Sequence, residues 1–359
     1  MPIVANALGE EQLVRAIADA IGAAGKPSSH GGARLRVGIG DDAAAWKPRP
    51  AHLSLITTDA LIEGVHFRSA WTTPDALGHK CLAQSLSDIA AMGGRPVLAT
   101  IALGVTEDID EAWARSFYRG VAALAIRSHC AIAGGDIVRA ASLCITVTVV
   151  GETSNSRLRL RSGARPGDYA CVTGALGLAA AGLRVLQNSS AGVLSPLHVK
   201  MVLDAYHTPS PRLQEGRFLS ACRATHAMMD ISDGLSLDLA RMGAASGLDA
   251  CVSADELRPH PAVEEACAAG GGAQEHVAQQ ALELTLQGGD DFELLAAVEA
   301  RALPYVARRF RARFGRPLQT VGRFEAGSGK LWMIRGEKRT ECVPQGYDHL
   351  LRTGGRAAG

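Results

Sequence analysis

The stretch PDALGHKCLAQSLSDIAAMGG, residues 74–94, decides the fold class of this chain. Pro74 suits the first turn of a helix, the apolar residues recur at helical spacing, and two glycines close the segment, so the stretch predicts a helix. HLSLITTDA (52–60) before it and RPVLATIALG (95–104) after it both read as strands. A strand, a helix and a second strand in succession are typical of α/β layers.

The same alternation continues on both sides of this helix. In the first half of the chain we predict helices over 10–24 and 110–128, a short strand over 129–136 that ends at its acid, and a longer strand over 142–152. A second α/β series follows, with strands in DYACVTG and HAMMDISDG, a helix in LSLDLARMGAASG, and helices near 176–187, 199–206 and 211–223. The chain as a whole therefore predicts an α/β fold.

The length of the chain indicates more than one domain. A chain of 359 residues is too long for one compact core. The segment 153–168 is polar, basic and rich in turn residues, which is typical of a domain boundary. We therefore predict an N-terminal domain over 1–152, a C-terminal domain over 153–350, and a disordered tail over 351–359.

The composition is that of a globular protein without a nucleic-acid partner. Hydrophobic residues make up 47% and charged residues 20%, and 37 basic against 36 acidic residues leave a net charge of +1. Without a basic field, and with only 4% aromatic residues, neither phosphate attraction nor base stacking is favoured. The chain starts without the basic segment of a secretory signal, and no apolar run reaches the roughly 20 residues that cross a bilayer.

The eight cysteines indicate a reducing compartment. They are scattered along the chain, no C-x-x-C pair occurs, and several lie in apolar runs such as SLCITVTVV and DYACVTG. This pattern favours buried free thiols over a disulfide framework. We therefore expect a cytoplasmic protein with reduced cysteines.

Seven aspartates share one sequence context. They are Asp42, Asp59, Asp88, Asp136, Asp230, Asp233 and Asp290. Nearly every one lies beside Gly, Ser or Thr at the end of a predicted strand or helix. In open α/β sheets, ligands bind outside such strand ends. Short carboxylates on backbone that glycine lets come close suit Mg²⁺, and the D-x-D-x-D-G loop typical of Ca²⁺ is absent. In GIGDDAA the adjacent Asp41 and Asp42 repel each other, and a divalent cation would offset that repulsion.

Two less specific interpretations apply to such motifs. A single Asp beside Gly is most often a turn residue or a helix N-cap, and we assign Asp75 and Asp110 to that role. GSGKL (327–331) imitates a phosphate-binding loop, but Phe324 stands where its first glycine belongs and Leu331 replaces the hydroxyl residue after the lysine. We interpret that segment as a hairpin.

Eight motifs in a fixed order carry a resemblance to a known family. They are GIGDDAA, TTDALIEGVHF, KCLAQSLSDIAAMGGRP, AGGDIVR, RSGARPGDYACVTG, DISDGLSLDL, GGDDFELL and GYDHL. Over about residues 37–350 the chain thus resembles the thiamine-monophosphate kinases of the aminoimidazole ribonucleotide synthetase-like superfamily. The resemblance implies a two-domain α/β (α+β) fold, in which an N-terminal ATP- and Mg²⁺-binding domain pairs its sheet across a homodimer and a C-terminal α/β domain follows.

The resemblance also implies an activity and a set of site residues. The activity is ATP-dependent phosphorylation of thiamine monophosphate to thiamine diphosphate, with ATP as co-substrate and several Mg²⁺ ions. The implied metal ligands, whose six aspartates are also the implied catalytic residues, are Asp42, Thr57, Thr58, Asp59, Asp88, Asp136, Asp230 and Asp233. The implied nucleotide contacts are Tyr118, Gly135, Asp136, Arg161 and Ser232. The implied substrate contacts are His66, Asp290 and Tyr347.

One position departs from the family pattern. Where the family usually reads G-G-E-D, this chain has Gly289, Asp290 and Asp291. The shorter carboxylate of Asp290 withdraws its oxygens by about 1.5 Å, the length of one C–C bond. Direct contact between Asp290 and the substrate is therefore in question, and a bridging water is the alternative.

The implied reaction sets a problem of charge rather than of proton transfer. The second pKa of a phosphate monoester lies near 6, so the acceptor oxygen is ionised at neutral pH and needs no general base. Two anions must approach each other, and catalysis becomes positioning and charge neutralisation. We therefore interpret His66 as a hydrogen-bond donor to the substrate phosphate. Two alternatives remain: a non-catalytic nucleotide and Mg²⁺ sensor, and another ATP-dependent synthetase of the superfamily.

Overall fold

The structure is a computed structural model that describes residues 10–22, 35–39, 41–188, 193–271 and 273–347. Its helices are α1 Glu10–Ile21, α2 Pro74–Ala91, α3 Glu111–Ser128, α4 Leu178–Asn188, α5 Pro196–His207, α6 Leu213–Ala221, α7 Leu235–Ser246, α8 Pro261–Ala268, α9 Gln274–Gln287 and α10 Leu303–Phe314. Its strands are β1 Leu35–Val37, β2 Ala45–Trp46, β3 Leu53–Ile62, β4 Arg95–Val105, β5 Ala131–Arg139, β6 Cys144–Thr153, β7 Tyr169–Val172, β8 Thr225–Ile231, β9 Leu248–Ser253, β10 Glu293–Val298, β11 Gln319–Ala326, β12 Leu331–Arg335 and β13 Lys338–Cys342.

The chain divides into two compact units. The first runs up to Leu160 and includes His207–Thr225, and the second comprises Arg161–Tyr206 and the chain from His226. The sequence placed the division a few residues earlier, between 152 and 153, and did not predict that residues 207–225 return to the first unit. The tail expected over 351–359 lies outside the described residues.

The return of residues 207–225 depends on close packing against α2. A Cβ on Gly216 of α6 would lie 2.2 Å from the carbonyl oxygen of Ala90 in α2, so the two helices approach closely at this glycine. The buried His79 of α2 also holds the segment, because its Nε2 donates to the carbonyl of Pro209 over 2.8 Å. A helix contact and one buried hydrogen bond therefore attach this segment to the first unit.

A four-stranded sheet in the order β3-β6-β4-β5 forms the framework of the first unit. The pairs β3–β6 and β6–β4 are antiparallel, and β4–β5 is parallel. Strand side chains alternate between the two faces. We call the face toward α2 and α3 the helix face. Its strand residues pack with residues of these helices in one buried cluster, which includes Leu61, Leu82, Leu86, Ile89, Ile101, Phe117, Ile132, Val147 and Val149.

The opposite side of this sheet, which we call the open face, carries Ile56, Thr58 and Ala60 of β3 and the residues paired with them. The small β1–β2 sheet covers one end of it, where Leu35 packs with Leu98 and Ala131. Much of the rest is exposed or half-buried, and Ile56 keeps 75% of its surface accessible in the middle of a strand.

A seven-stranded sheet in the order β13-β12-β9-β11-β7-β10-β8 forms the second unit. Residues of α7 such as Leu235 and Leu239 are buried in a cluster with strand residues of this sheet. Helices α4, α5, α8 and α9 contribute to a separate buried cluster, which includes Val185, Val202 and Val263. These layers are the second α/β series that the sequence predicted.

Most predicted elements are confirmed, but two are wrong. β5 does not end at Asp136; it continues to Arg139, because β4 goes on pairing with it up to Val105. The segment 327–331 is not a hairpin, because β9 lies between β11 and β12 in the sheet. The backbone N–H groups of residues 328–330 all donate to Oδ1 of Asp249 within that turn.

Two smaller expectations are confirmed as well. Asp110 is the N-cap of α3, since its side chain accepts a hydrogen bond from the Trp113 N–H over 2.8 Å. Asp75, which was given the same assignment, lies instead in the first turn of α2, after the N-cap Thr73. All eight cysteines are free thiols, and five of them are buried. Burial raises the pKa of Cys130 and Cys171 to about 12, so these thiols are unreactive at neutral pH.

The buried His79 makes the stability of the first unit sensitive to mild acid. Burial lowers the pKa of His79, the hydrogen bond to Pro209 opposes that shift, and the nearby Arg127 adds to it. The unfolded chain therefore takes up a proton as pH falls through about 6.5, whereas the folded chain resists it. We expect the wild type to lose stability between pH 7 and 5, by at most about 1.4 kcal/mol per pH unit from this group.

In His79→Gln this part of the pH dependence is expected to disappear, as measured by thermal unfolding at several pH values. The matched control is His276→Gln, an exposed histidine of the second unit, which should follow the wild type. Parallel pH profiles for wild type and His79→Gln would contradict the assignment.

Candidate active site

In the first unit, a polar contact between β3 and α2 assembles three of the predicted metal ligands. Thr57 and Asp59 both face α2, since residues two apart on a strand share a face. The Thr57 hydroxyl donates to Oδ2 of Asp88, and Asp59 accepts hydrogen bonds from Gln84 Nε2 over 3.2 Å and from Ser85 Oγ over 2.7 Å. Gln84 and Ser85 lie four and three residues before Asp88, so both share a side of the helix with it.

Two other predicted ligands lie on the opposite side of the same sheet. Thr58 is on the open face, where its hydroxyl lies 3.0 Å from that of Thr148. Asp136 pairs with Ala102 of β4 in the row that also contains Ala60, so its side chain too is on the open face. The structure therefore divides the predicted first-unit ligands between two faces.

Three of the predicted site residues are exposed, two in the first unit and one in the second. Asp42 is exposed, and its N–H donates to Oδ1 of Asp41 over 2.9 Å, so one of the adjacent acids stabilises the turn. Gly135 lies so close to β4 that a Cβ would sit 2.0 Å from the Ile101 carbonyl oxygen. Arg161 is exposed at the start of the second unit, and its carbonyl accepts from the Ser246 hydroxyl over 3.4 Å.

The environments of His66 and Tyr118 differ sharply. Nδ1 of the half-buried His66 accepts a hydrogen bond from the Ile62 N–H over 3.0 Å, so the proton of the ring is on Nε2, which is then a donor. Tyr118 is only 4% exposed in the core of the first unit, and burial followed by the nearby Cys81 raises its pKa. As placed, the Tyr118 ring is covered by protein, and its nucleotide contact stays a prediction.

In the second unit, three separate segments meet through backbone hydrogen bonds. The Asp290 N–H donates to the Ser232 carbonyl over 2.8 Å, which joins the GGDD turn to the DISDG turn. The Tyr347 N–H donates to the Asp233 carbonyl over 3.0 Å, which adds the C-terminal segment. Asp230 is half-buried at the end of β8, just before this junction. The structure thus brings together all but one of the predicted residues of this unit, Arg161 being the exception.

The sequence analysis missed two residues that organise this junction. Asp238 of α7 is fully buried and accepts hydrogen bonds from the N–H groups of Ser232 and Asp233 over 3.2 and 3.1 Å. Arg241 forms ion pairs with both Asp233 and Asp238. Burial, and then the charge of Asp233, raises the pKa of Asp238 to about 6. The i,i+3 spacing of Asp238 and Arg241 just after the turn was the signal available in the sequence.

The GGDD turn itself holds an unusual backbone and a second buried acid. Asp290 has φ 65°, a left-handed conformation that Asp tolerates better than most residues. Oδ2 of Asp291 accepts the Gly177 N–H over 2.8 Å at the start of α4, and burial raises the pKa of Asp291 well above its usual range. Burial and then the Asp290 charge raise the pKa of the Tyr206 hydroxyl to about 12, which places Tyr206 near this turn.

The oxygen donors of the first unit fit a magnesium ion. Within the described ranges, Asp42, Asp59 and Asp136 form no ion pair with a basic side chain. No group of three or more His, Cys, Asp or Glu side chains there is placed to hold a metal by itself. Mg²⁺ usually takes only one or two protein carboxylates and completes its shell with water and substrate phosphate. Thr57, Asp59 and Asp88 fit such a partial ligand set.

Comparisons with known proteins first give the class. The family AIR synthase related protein, N-terminal domain, matches residues 40–153. A crystal structure of E. coli HypE, a hydrogenase maturation protein, has a TM-score of 0.69 at 16% identity, covers 95% of this chain and 98% of its own, and shows the fold alone. The chain thus has the two-domain AIR synthase-like α/β fold.

Closer relatives define the family. Thiamine-monophosphate kinase of Bacillus subtilis (strain 168) is 35% identical over 316 residues, 88% of this chain and 93% of the relative. The crystal structure of thiamine-monophosphate kinase from Stenotrophomonas maltophilia K279a has 33% identity and a TM-score of 0.77, over 89% of this chain and 95% of its own. A structure described as AaThiL complexed with AMPPCP and TMP has 29% identity and a TM-score of 0.71, over 95% and 97%.

The chain belongs to the thiamine-monophosphate kinase family, and it is therefore a kinase. This confirms the resemblance carried by the eight motifs. None of the helices in the described ranges combines the length and apolar character that crossing a bilayer requires.

Proposed function

We propose that the chain transfers the γ-phosphoryl group of ATP to thiamine monophosphate and forms thiamine diphosphate, by direct in-line transfer without a covalent intermediate. The observation that carries this proposal is the junction of residues 230–233, 290–292 and 345–347 in the second unit. Each segment holds a residue with an implied role in metal, nucleotide or substrate binding. The relative complexed with AMPPCP and TMP supports the same pair of ligands.

The chemistry requires no proton acceptor from the protein. The bond that forms joins an acceptor phosphate oxygen to the γ-phosphorus, and the bond that breaks joins that phosphorus to the oxygen bridging it to the β-phosphate of the departing ADP. The acceptor oxygen is already ionised at neutral pH, since its pKa lies near 6. The Nε2–H of His66 is positioned as a donor, so this ring holds the acceptor phosphate rather than removing a proton.

The carboxylates serve charge neutralisation in this proposal. Mg²⁺, when bound, would supply positive charge between the two phosphate groups. Thr57, Asp59 and Asp88 on the helix face would hold one ion, and the remaining ligands, Asp42, Thr58, Asp136, Asp230 and Asp233, would hold others. Arg241 fixes the orientation of Asp233, because it pairs with that side chain and with the buried Asp238 at once.

The nucleotide and the thiamine group are bound mainly by other residues, and Asp136 belongs to both sets. Gly135 and Asp136 offer exposed backbone of β5 to the nucleotide, together with the exposed Arg161 and with Ser232. The ring of Tyr347 is 46% exposed and can stack on a cationic aromatic ring of the acceptor.

We also propose that the first-unit sheet pairs with a second copy of the chain. The open face presents Ile56, 75% exposed, and Val138, 53% exposed, within regular strands, where soluble sheets usually carry polar residues. A homodimer that buries the Ile56 end of this face would cover that side chain and leave Asp136, which lies in a row nearer the other end, accessible to the nucleotide. The eight free cysteines fit a reducing cytoplasm as the place of action.

The activity is tested by transfer of label from γ-labelled ATP to thiamine, thiamine monophosphate, pyridoxal phosphate and aminoimidazole precursors. We expect transfer to thiamine monophosphate alone, and we expect Asp88→Asn to lower kcat by at least about 100-fold, because a charge-neutralising oxygen is lost. The control is Asp110→Asn, which keeps a good N-cap of α3 and should retain wild-type turnover.

Two results would reject this proposal. ATP bound but not consumed with any acceptor would favour the sensor alternative, and label in an aminoimidazole product would favour another synthetase. Near wild-type turnover in Asp88→Asn would show that the β3–α2 contact has no role in catalysis.

Asp290→Glu tests the water-bridged contact at the substrate. The longer side chain restores about 1.5 Å of reach, so we expect KM for thiamine monophosphate to fall a few-fold while KM for ATP stays constant. We also expect a slightly lower melting temperature, since Glu suits the left-handed backbone less well than Asp. Steady-state kinetics with each substrate varied in turn measures the first effect. An equal rise of both KM values would instead indicate damage to the turn.

Ile56→Lys tests the pairing of open faces. We expect light scattering to give twice 37.5 kDa for the wild type and a monomer mass for Ile56→Lys, because a charge in the buried interface is unfavourable. Ile126→Lys is the matched control, since Ile126 is 53% exposed on α3, away from the open face. A monomeric wild type, or equal dissociation of both variants, would exclude this interface.

A further inference from the structure

A cavity of about 140 Å³ in the first unit is lined mainly by arginines. Arg49, Arg95, Arg157 and Arg217 contribute four guanidinium groups, and Glu152 is the one acid among the lining residues. At neutral pH the lining therefore carries a formal net charge of +3. The four arginines come from separate places in the sequence, so the tertiary fold brings these like charges together.

The fold neutralises these charges only in part. Nε of Arg49 pairs with Oε1 of Glu152 over 3.1 Å. Among the described residues, neither Arg95 nor Arg157 forms an ion pair, and the Arg157 guanidinium donates only to the carbonyl of Arg217, over 3.5 Å. Burial, and then the charges of Arg49 and Arg157, lower the pKa of Arg95, while Glu152 opposes that shift. Such like-charge crowding is unfavourable unless an anion is bound.

The residues that line this cavity differ from the acidic residues of the proposed active site. Thr153, which lines it, pairs with Leu53 at the first position of β3. Thr57 lies four residues further along the strand, about 13 Å from Leu53. None of the residues with an implied catalytic, nucleotide or substrate role lines the cavity.

We propose that this arginine cavity binds a phosphate group, either as inorganic phosphate or as the terminal phosphate of a larger ester. Guanidinium groups match the geometry of phosphate oxygens and bind them through paired, charge-assisted hydrogen bonds. A volume of about 140 Å³ is well above the minimum that one water molecule needs. The cavity therefore has room for an orthophosphate ion or for the terminal phosphate of an ester.

Isothermal titration of the full-length protein with sodium phosphate, at constant ionic strength and without ATP, tests this site. We expect the wild type to bind phosphate and Arg95→Gln to bind it at least about tenfold more weakly, since one charge-assisted contact is lost. Arg157→Gln is the second variant; Arg157 is exposed, so its replacement should not affect folding. Arg119→Gln, an exposed arginine of α3 outside the cavity, should bind like wild type.

A parallel titration with glycerol 3-phosphate, a monoester whose charge is close to that of orthophosphate, separates the two sources of the ligand. Tighter binding of the ester, lost in Arg95→Gln, assigns the cavity to the end of a phosphate ester, and equal or weaker binding assigns it to orthophosphate. Phosphate binding that is unchanged in both Arg95→Gln and Arg157→Gln would overturn the proposal. So would the absence of phosphate binding to wild type at tens of millimolar.

Discussion

The contact between β3 and α2 is the constraint on which the first unit depends. Strand alternation sends Leu55, Thr57, Asp59 and Leu61 toward the helix, and Leu61 is buried in the core cluster while Thr57 and Asp59 find polar partners on the same helix. The acids are therefore held in place by apolar packing on either side of them. Regular secondary structure, and not a flexible loop, orients these side chains, which suits the metal-binding role proposed for them.

The parts of the fold set by local periodicity could be predicted from the sequence. The helix over 74–94 and the strands beside it have apolar residues at periods that one local structure satisfies, and the structure confirms them. The return of residues 207–225 could not be predicted, because it depends on Gly216 meeting Ala90, a contact between distant positions. The end of β5 was predicted wrongly for a similar reason, since its last residues are strand only through their pairing with β4.

The candidate site shows the same limit. Single acids beside glycines, and their order along the chain, were visible in the sequence, and so was the junction residue Asp290. The faces on which Thr57 and Thr58 lie were not distinguished, because adjacent threonines read alike until the sheet is known. Asp238 was passed over because a helix of buried residues reads as core, and its two backbone hydrogen bonds appear only once the turn before it is folded.

The turn at 327–331 has a consequence for selectivity. Three consecutive amides there converge on Asp249, and the Trp332 indole donates to the other oxygen of the same carboxylate over 2.8 Å. These amides are therefore not available to a phosphate group, although the loop has the glycine and lysine of a nucleotide-binding loop. The carboxylate of Asp249 takes the position of a bound anion, so the turn serves the structure of the sheet.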